Sequence, residues 1–461
     1  MPNWHRRSIL ATGIALSTSG AFTSTSATTE ERTDDVPLSV STGDPDGWSS
    51  EWGNAGNTNY YPLDDEFPEP GTVAWRYDLP SFGTWHDGTV AVVDGRIYLL
   101  TSAKRTDAGV AYQSELHALD ADDGELDWKT EVEATGRPAV VNGSVYVTNR
   151  GHVIAFDTED GSVRWERELT TGEWVTNPTP AAGALYVVAG DTLYALDGDD
   201  GSIRWQREAV AVRGATAEPS DSVSTSFDSQ TVAVAGGTVY AITAPCDEDS
   251  SDPVAGEGGI AALNAMTGET EWAIVPEGGV TGSLMATEAF VLARKQIDDT
   301  EEIILDPDTG DVVQRDAVNT VAATSEARVT HDTWYPGDGP LSVRPYGSGA
   351  AWTVSDVRFP APLLVGKTLI AFHDSAVTGF DLETGSVTWR WEGDPLPRAF
   401  VAVDENTLYA GHEGELVALR PADDEEDGLD EQRQSDTKEE NRDDTEADCP
   451  RESAESPRAD Q

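Results

Sequence analysis

Short apolar runs alternate with polar turns along most of the chain, and the clearest copy extends from Ala155 to Trp165. The apolar run before Asp157 predicts one strand. Asp157 can accept hydrogen bonds from turn amides, and Gly161 supplies the positive φ that a type I turn with a following bulge requires. Beyond the turn, Val163 and Trp165 share one face of the next strand, because side chains alternate along a strand. The pattern predicts a tight β-hairpin whose tryptophan packs against a neighbouring layer.

The same hairpin pattern returns along the sequence. The complete copies share an Asp or Asn, a Gly and a Trp, and they are Asp120–Trp128, Asp157–Trp165, Asp197–Trp205, Asn264–Trp272 and Asp381–Trp389. A further copy, from Asp306 to Gln314, has lost its tryptophan. A repeat of about 40 residues that carries strands and no helical periodicity predicts stacked sheets, in either a propeller or a solenoid.

The repeats begin and end with half a hairpin, which decides between these two architectures. Gly71–Trp75 has the Gly-to-Trp spacing without a preceding strand, and Leu416–Leu419 has the strand without a following turn. Joined, the two halves complete one hairpin. Pairing of the N-terminal and C-terminal strands therefore predicts a closed ring, which hides the sheet edges that an open solenoid would leave exposed.

Counting the docking positions predicts the number of blades. The tryptophans expected to dock one blade on the next are Trp75, Trp128, Trp165, Trp205, Trp272, Trp352 and Trp389, and Gln314 occupies the remaining position. We therefore expect an all-β fold, an eight-bladed β-propeller of four-stranded antiparallel blades. Seven blades is the alternative, because the copy that ends at Trp352 has lost its Asp-turn.

From these residues the chain resembles the PQQ-like β-propeller repeat family, the quinoprotein type, whose signature is an Asp-turn-Gly hairpin followed by a docking Trp. Trp48–Pro62 is also similar to the segment that precedes the first strand in that family. The resemblance covers roughly residues 48–421, and the repeat type is similar to that of the propeller subunit of the outer-membrane barrel-assembly machinery. The resemblance implies the fold, whereas the same repeats build dehydrogenases and non-catalytic scaffolds alike.

Acidic residues dominate the composition. The 461 residues include 84 Asp and Glu against 30 Lys and Arg, a net charge of -54. Such a field repels nucleic acid and anionic membranes, which excludes both as partners. Because lysines are also few, the composition predicts a halophilic protein adapted to concentrated salt, with an acidic protein from ordinary salt as the alternative.

The two termini predict export and a polar tail. Residues 1–27 are typical of a twin-arginine signal peptide, with Arg6 and Arg7 before a short apolar run, and residues 28–47 are typical of a linker. Residues 422–461 are acidic and poor in aromatics, so we expect a disordered tail. The mature chain is then extracellular or in the cell envelope, without an integral membrane segment. Cys246 and Cys449 could form a disulfide.

Loop lengths predict where a partner binds. Turns between the first and second strands and between the third and fourth strands are short, whereas nearly all long connections emerge on the opposite end of the ring. Long loops on one end of a rigid scaffold are where binding is usually found. The candidate partner-binding residues in these connections are Trp85, His86, Trp174, Asn177 and Arg213. The structural alternative is that Trp85 and Trp174 fill the mouth of the central channel.

No catalytic or metal-binding motif is evident. His86, His152, His373 and His412 fall in different blades, so we expect no zinc site. The Asp-rich turns, such as Asp120–Gly124, lack the closing Glu of a calcium loop, and turn chemistry explains them.

Two functions remain open. The first is a secreted, monomeric, non-catalytic scaffold that binds a protein or an extracellular polymer through the long-loop end. The second is a PQQ-dependent dehydrogenase that oxidises an alcohol or a sugar, and it alone requires PQQ and calcium. The dehydrogenase branch usually carries adjacent cysteines against the cofactor, and this chain has no adjacent pair. The sequence favours the scaffold.

The charge excess generates the first test. We expect the melting temperature to rise when KCl is raised from about 0.1 M to about 2 M, because the Debye length falls from about 10 Å to a few ångströms and repulsion among the acids is screened. Calorimetry measures this shift, with a sucrose series as the control for general solute effects. A melting temperature that stays flat or falls in KCl would indicate an acidic protein of ordinary salt.

Overall fold

The computed structural model describes residues 47–78, 90–101, 104–105, 112–134, 137–214, 222–245, 256–295, 301–331, 339–346, 349–393, 399–412 and 414–422. All of them lie in the compact unit Ser41–Gln461. The predicted signal peptide, the predicted tail beyond residue 422, both cysteines, Trp85 and His86 lie outside these ranges. No helix within the described ranges is long and apolar enough to span a bilayer.

Every helix or strand assigned in the described ranges is a β-strand. In the first part of the chain the strands are β1 (Tyr60–Tyr61), β2 (Thr72–Asp78), β3 (Val90–Val93), β4 (Arg96–Leu100), β5 (Lys104–Arg105), β6 (Tyr112–Asp120), β7 (Leu126–Val132), β8 (Ala139–Val141), β9 (Ser144–Thr148), β10 (His152–Asp157), β11 (Val163–Glu168), β12 (Thr179–Ala181), β13 (Ala184–Ala189), β14 (Thr192–Asp197), β15 (Ile203–Arg207), β16 (Val210–Gly214), β17 (Val223–Thr225) and β18 (Ala233–Ala235).

In the second part they are β19 (Thr238–Ile242), β20 (Ile260–Asn264), β21 (Thr270–Val275), β22 (Leu284–Ala286), β23 (Val291–Lys295), β24 (Glu301–Leu305), β25 (Val312–Asp316), β26 (Asn319–Ala323), β27 (Ala327–His331), β28 (Gly339–Pro345), β29 (Trp352–Val365), β30 (Thr368–His373), β31 (Ala376–Asp381), β32 (Val387–Trp391), β33 (Ala399–Val403), β34 (Leu408–His412) and β35 (Glu415–Arg420). Third strands such as β10 are buried on both faces between neighbouring blades, as their apolar sequences predict.

These strands form eight four-stranded antiparallel blades. From the innermost to the outermost strand, the blades are I (β3, β4, β6, β7), II (β8 to β11), III (β12 to β15), IV (β18 to β21), V (β22 to β25), VI (β26, β27, β28 and the start of β29), VII (the end of β29, then β30 to β32) and VIII (β33, β34, β35 and β2). Because β29 serves two blades, blades VI and VII form one continuous sheet. Eight blades are confirmed. The copy that ends at Trp352 and has lost its Asp-turn forms one of them.

The ring closes as the two half-hairpins predict. Strand β2 pairs antiparallel with β35, and Trp75 lies opposite Ala418 while Val73 lies opposite Leu419. The innermost strands contact one another around the ring, β33 with β3, β3 with β8, β8 with β12, β12 with β18, β18 with β22, and β29 with both β26 and β33. Met285 of β22 and Ala323 of β26 share a buried cluster, which joins blades V and VI.

The docking tryptophans follow one geometry. Each indole Nε1 donates a hydrogen bond of 2.8–3.0 Å to a carbonyl across the seam, and the pairs are Trp75 to Ala121, Trp128 to Thr158, Trp165 to Gly198, Trp205 to Ala265, Trp272 to Pro307, Trp352 to Leu382 and Trp389 to Phe67. A Cβ on Gly161 would lie 2.5 Å from the Trp128 ring, and Gly161 has a φ of 68°. Glycine is therefore required both for the turn and for the close approach of the indole.

The seam between blades V and VI is the exception, because Gln314 replaces the tryptophan and blade VI has no Asp-Gly turn to receive one. A buried ionic network occupies this seam instead. The Glu302 carboxylate, 1% exposed, contacts Arg294 at 3.3 Å and Arg328 at 3.3 Å, and it accepts hydrogen bonds from Thr320. Arg328 also pairs with Asp316. Burial lowers the pKa of Arg328, and Glu302 opposes that shift.

Besides β1, which pairs in parallel with the end of β29, three short strands add to the predicted blades. Strand β5 pairs with the start of β6, β16 pairs in parallel with the outermost strand β21, and β17 pairs with β16. Strands β5, β16 and β17 lie within two long connections between blade strands, at 101–114 and 209–230.

The seams generate a stability prediction. Trp205 is 7% exposed, so Trp205→Ala should lower the free energy of unfolding by about 3–5 kcal/mol through lost burial and the resulting cavity. Trp174, which is 45% exposed, provides the matched control, and Trp174→Ala should change stability little. Denaturant unfolding measures both variants. Equal losses for the two would contradict the docking role of Trp205.

Candidate functional site at the channel mouth

Residues 48–61, here called the channel segment, run inside the ring of innermost strands. Their carbonyl oxygens accept hydrogen bonds from strands of successive blades, and the pairs are Trp48 with Val92 (blade I, 2.8 Å), Ser49 with Val140 (II, 2.8 Å), Ala55 with Val234 (IV, 2.7 Å), Gly56 with Ala286 (V, 2.8 Å), Thr58 with Ala323 (VI, 2.9 Å) and Asn59 with Leu364 (VII, 3.3 Å). The order along the segment is the order around the ring. The segment therefore circles the axis before β2 completes blade VIII.

Two asparagines of the channel segment hold four more strand carbonyls. The Asn57 side-chain amide donates to Val232 at 2.9 Å and to Leu284 at 3.3 Å. The Asn59 amide donates to Val321 at 3.3 Å and to Pro362 at 2.7 Å. Both asparagines have positive φ, 57° and 51°, a conformation that asparagine adopts more readily than most residues.

Glu51, the one acidic residue of the channel segment, organises a polar cluster. Its carboxylate contacts Arg137 Nη1 at 2.6 Å, Asn177 Nδ2 at 2.5 Å and Thr231 Oγ1 at 3.4 Å. The Arg137 guanidinium lies 5.6 Å from the centroid of the Trp52 ring. These five residues define what we call the axial cluster.

The axial cluster lies at the long-loop end of the channel. Arg137, Asn177 and Thr231 each come just before the innermost strand of their blade, where a connection arrives from the preceding blade. The Asn177 side chain also accepts a hydrogen bond of 2.9 Å from the backbone amide of Arg137, so the starts of blades II and III are joined directly. Glu51 thus ties three blades together at one end of the ring.

Trp174 lies in the connection that leads to Asn177, and that connection is well held. The Trp174 carbonyl accepts a hydrogen bond of 3.0 Å from Gly190, and Trp174 forms a β-bridge with Arg150. The amide of Thr176 donates to Val188 at 2.9 Å. The Trp174 side chain is nevertheless 45% exposed. A fixed backbone therefore presents an exposed indole at the long-loop end.

The structure brings together only part of the sequence-predicted set. Trp174 and Asn177 share one connection, whereas Arg213 lies on β16, opposite Ile274 at the outer edge of blade IV. Trp85 and His86 lie outside the described residues. Sequence reasoning missed Glu51 and Arg137, and the only signal for Glu51 was its position in Trp48–Pro62.

The carboxylates of the Asp-rich turns accept hydrogen bonds from groups within the same hairpin. Asp157 accepts a hydrogen bond from the Glu159 amide at 2.8 Å and pairs with Arg164 at 2.8 Å. The Glu159 amide first, and then Arg164, lower the pKa of Asp157 below its ordinary value. Within the described ranges, no group of three His, Cys, Asp or Glu residues could hold a metal ion.

The described residues do not fit a quinone held on the axis by calcium. Glu51, the carboxylate of the channel segment, is already shared among Arg137, Asn177 and Thr231, so it is not free to act as a base. The indole nearest to it in sequence, Trp52, has the Arg137 guanidinium over its ring instead of an open stacking face.

The axial cluster generates a prediction. Glu51→Ala removes the partner of Arg137 and Asn177, so the free energy of unfolding should fall by about 2–3 kcal/mol. Glu69→Ala is the matched control, because Glu69 is exposed and should be nearly neutral. Denaturant midpoints compare the two variants. A Glu51→Ala protein as stable as the control would mean that the cluster does not join the blades.

Comparison with known proteins agrees with the fold. Residues 112–249 match the sequence family described as outer membrane protein assembly factor BamB. Quinohemoprotein alcohol dehydrogenase from Comamonas testosteroni superposes with a TM-score of 0.55 at 16% identity, covering 82% of this chain and 81% of the other. A europium-containing methanol dehydrogenase gives 0.55 at 13% identity over 82% and 98% of the two chains.

BamB from Moraxella catarrhalis gives a TM-score of 0.47 at 18% identity, over 75% of this chain and 98% of the other. Among curated proteins, no sequence match is found. Identities this low show a shared fold and leave activity open. The closure of the ring and the likeness to the two dehydrogenases together show an eight-bladed β-propeller, and residues 112–249 match a family of PQQ-like repeats.

Proposed function

We propose that this protein is a non-catalytic scaffold that binds a protein or an extracellular polymer through the long-loop end of its propeller. The observation that carries the proposal is the exposed Trp174 indole on a connection fixed by backbone hydrogen bonds and continuous with the axial cluster. Tryptophan on a rigid backbone is a common anchor of binding surfaces, because it buries a large area at little entropic cost.

The channel segment supports a scaffold over a dehydrogenase. The channel segment occupies the inner edges of six blades, and the polar groups of the axial cluster are committed to one another. The match of residues 112–249 to an outer membrane assembly factor points in the same direction. In this proposal the partner binds at an end of the ring, and the inner edges of the blades bind the channel segment.

The proposed setting is the cell exterior or envelope, reached through twin-arginine export in the folded state, and the proposed protein is a monomer. Its charge of -54 disfavours nucleic acid and anionic membranes as partners. A partner with a neutral or basic surface fits this field best, because complementary charge accelerates encounter.

Photo-crosslinking tests the proposed face. A photoreactive residue replacing Trp174 should capture a discrete partner from the native secreted fraction, whereas one replacing Val387, which is 53% exposed at the start of β32 beside a short turn, should not. The separate substitution Trp174→Ala should weaken binding of the captured partner at least about tenfold with an unchanged melting temperature. Val387→Ala is the matched control for binding.

Two outcomes would contradict the proposal. One is equal capture at both positions, or binding that Trp174→Ala leaves unchanged. The other is turnover, which is checked by adding PQQ and calcium to the purified protein and following dye reduction with alcohols and sugars. Clear substrate-dependent reduction would favour the dehydrogenase.

A further inference from the structure

Backbone hydrogen bonds hold the channel segment, which turns at Ser50–Gly53 and Asn54–Asn57, against the inner edges of the blades. Six blades donate backbone N–H groups to its carbonyls, one for each of Trp48, Ser49, Ala55, Gly56, Thr58 and Asn59. Main-chain hydrogen bonds of this kind supply affinity in strand-addition complexes, and a few side chains then supply specificity. Here the receptor is the inner edge of a ring, and the ligand is another part of the same chain.

Specificity comes from Asn57, Asn59 and Gly56. The asparagine amides bind four carbonyls that the innermost strands and the residues before them present to the axis. At Gly56 a Cβ would lie 2.2 Å from the Ala286 carbonyl oxygen of blade V, whereas Gly53 packs against Trp48 within the segment itself. The channel therefore selects a small residue and paired amides at defined positions of its occupant.

The channel segment is joined to β2 by residues 62–71, part of which is exposed. Pro62, Asp64 and Asp65 are exposed, while Phe67 is buried and receives the hydrogen bond of Trp389. The ring itself is closed by β2 pairing with β35, downstream of this connection. Cutting the chain at Asp64 would thus leave every blade covalently intact and convert the channel segment into a separate molecule.

We propose that the channel is a peptide-binding site and that residues 48–61 are its internal ligand, held noncovalently and replaceable by a peptide of the same sequence. The inference is independent of the partner-binding function, since it concerns the inner edges of the blades and not the long-loop surface. Its occupant is this chain's own segment, because the Asn57 and Asn59 side chains each donate hydrogen bonds to a defined pair of carbonyls.

The experiment uses the full chain with a site-specific protease sequence inserted between Asp64 and Asp65. After the folded protein is cut, the N-terminal fragment should remain bound through size-exclusion chromatography. A labelled synthetic peptide of residues 47–62 should then replace it, as measured by fluorescence anisotropy. The peptide with Asn57→Ala and Asn59→Ala should compete about 100-fold less well, since four hydrogen bonds are lost. The peptide with Pro62→Ala, a change at an exposed position, is the matched control.

Three results would overturn the inference. The first is immediate loss of the fragment with no rebinding of the labelled peptide, which would mean that the channel has no affinity of its own. The second is a fragment that never exchanges, even just below the melting temperature. The third is equal competition by the double-asparagine variant and the control peptide, which would mean binding without recognition.

Discussion

Each innermost strand of a closed propeller has one edge that its own blade cannot pair, and the satisfaction of those edges is the constraint on which this structure depends. A buried N–H without a partner costs about 1–3 kcal/mol. Residues 48–61 meet that requirement for six blades with their own carbonyl oxygens. Ring closure by β2 and β35 follows directly along the chain, so one N-terminal stretch both lines the inner edges of the blades and completes the last blade.

Between blades, a second recurring contact is the docking of an indole on the next blade. This contact depends on the turn between the third and fourth strands of that blade. Where the Asp-to-Gly turn is intact, the next blade offers the indole both a glycine and a carbonyl, whereas Trp389 donates to Phe67 without such a turn. The sequence of blade VI has no Asp-Gly turn, and position 314 is a glutamine. Glu302, Arg328 and Asp316 fill the seam instead, and buried charges are tolerated there because each is paired.

The same construction determines which surface is available for function. Among the described residues, the third strands are buried between neighbouring blades, and the proposed recognition surface lies at one end of the ring. At the long-loop end, Glu51 links the channel segment to the starts of blades II, III and IV. Trp174 stands three residues from Asn177 on the same connection. The proposed binding surface is therefore supported from inside the channel, which gives the loops a rigid base.

The amino-acid sequence by itself determined the strands, the hairpin turns and the closure of the ring, because alternating side chains and Asp-to-Gly turns are local features. It also identified Trp174 and Asn177 as members of one loop. Only the tertiary structure decided that Trp48–Pro62 lines the channel and that Glu51 meets Arg137, since those contacts join residues far apart in sequence. Arg213 is a residue whose local structure the sequence did not predict. The sequence predicted a loop there, whereas Arg213 lies on β16, which pairs with β21, and that pairing depends on a sheet edge that no local pattern encodes.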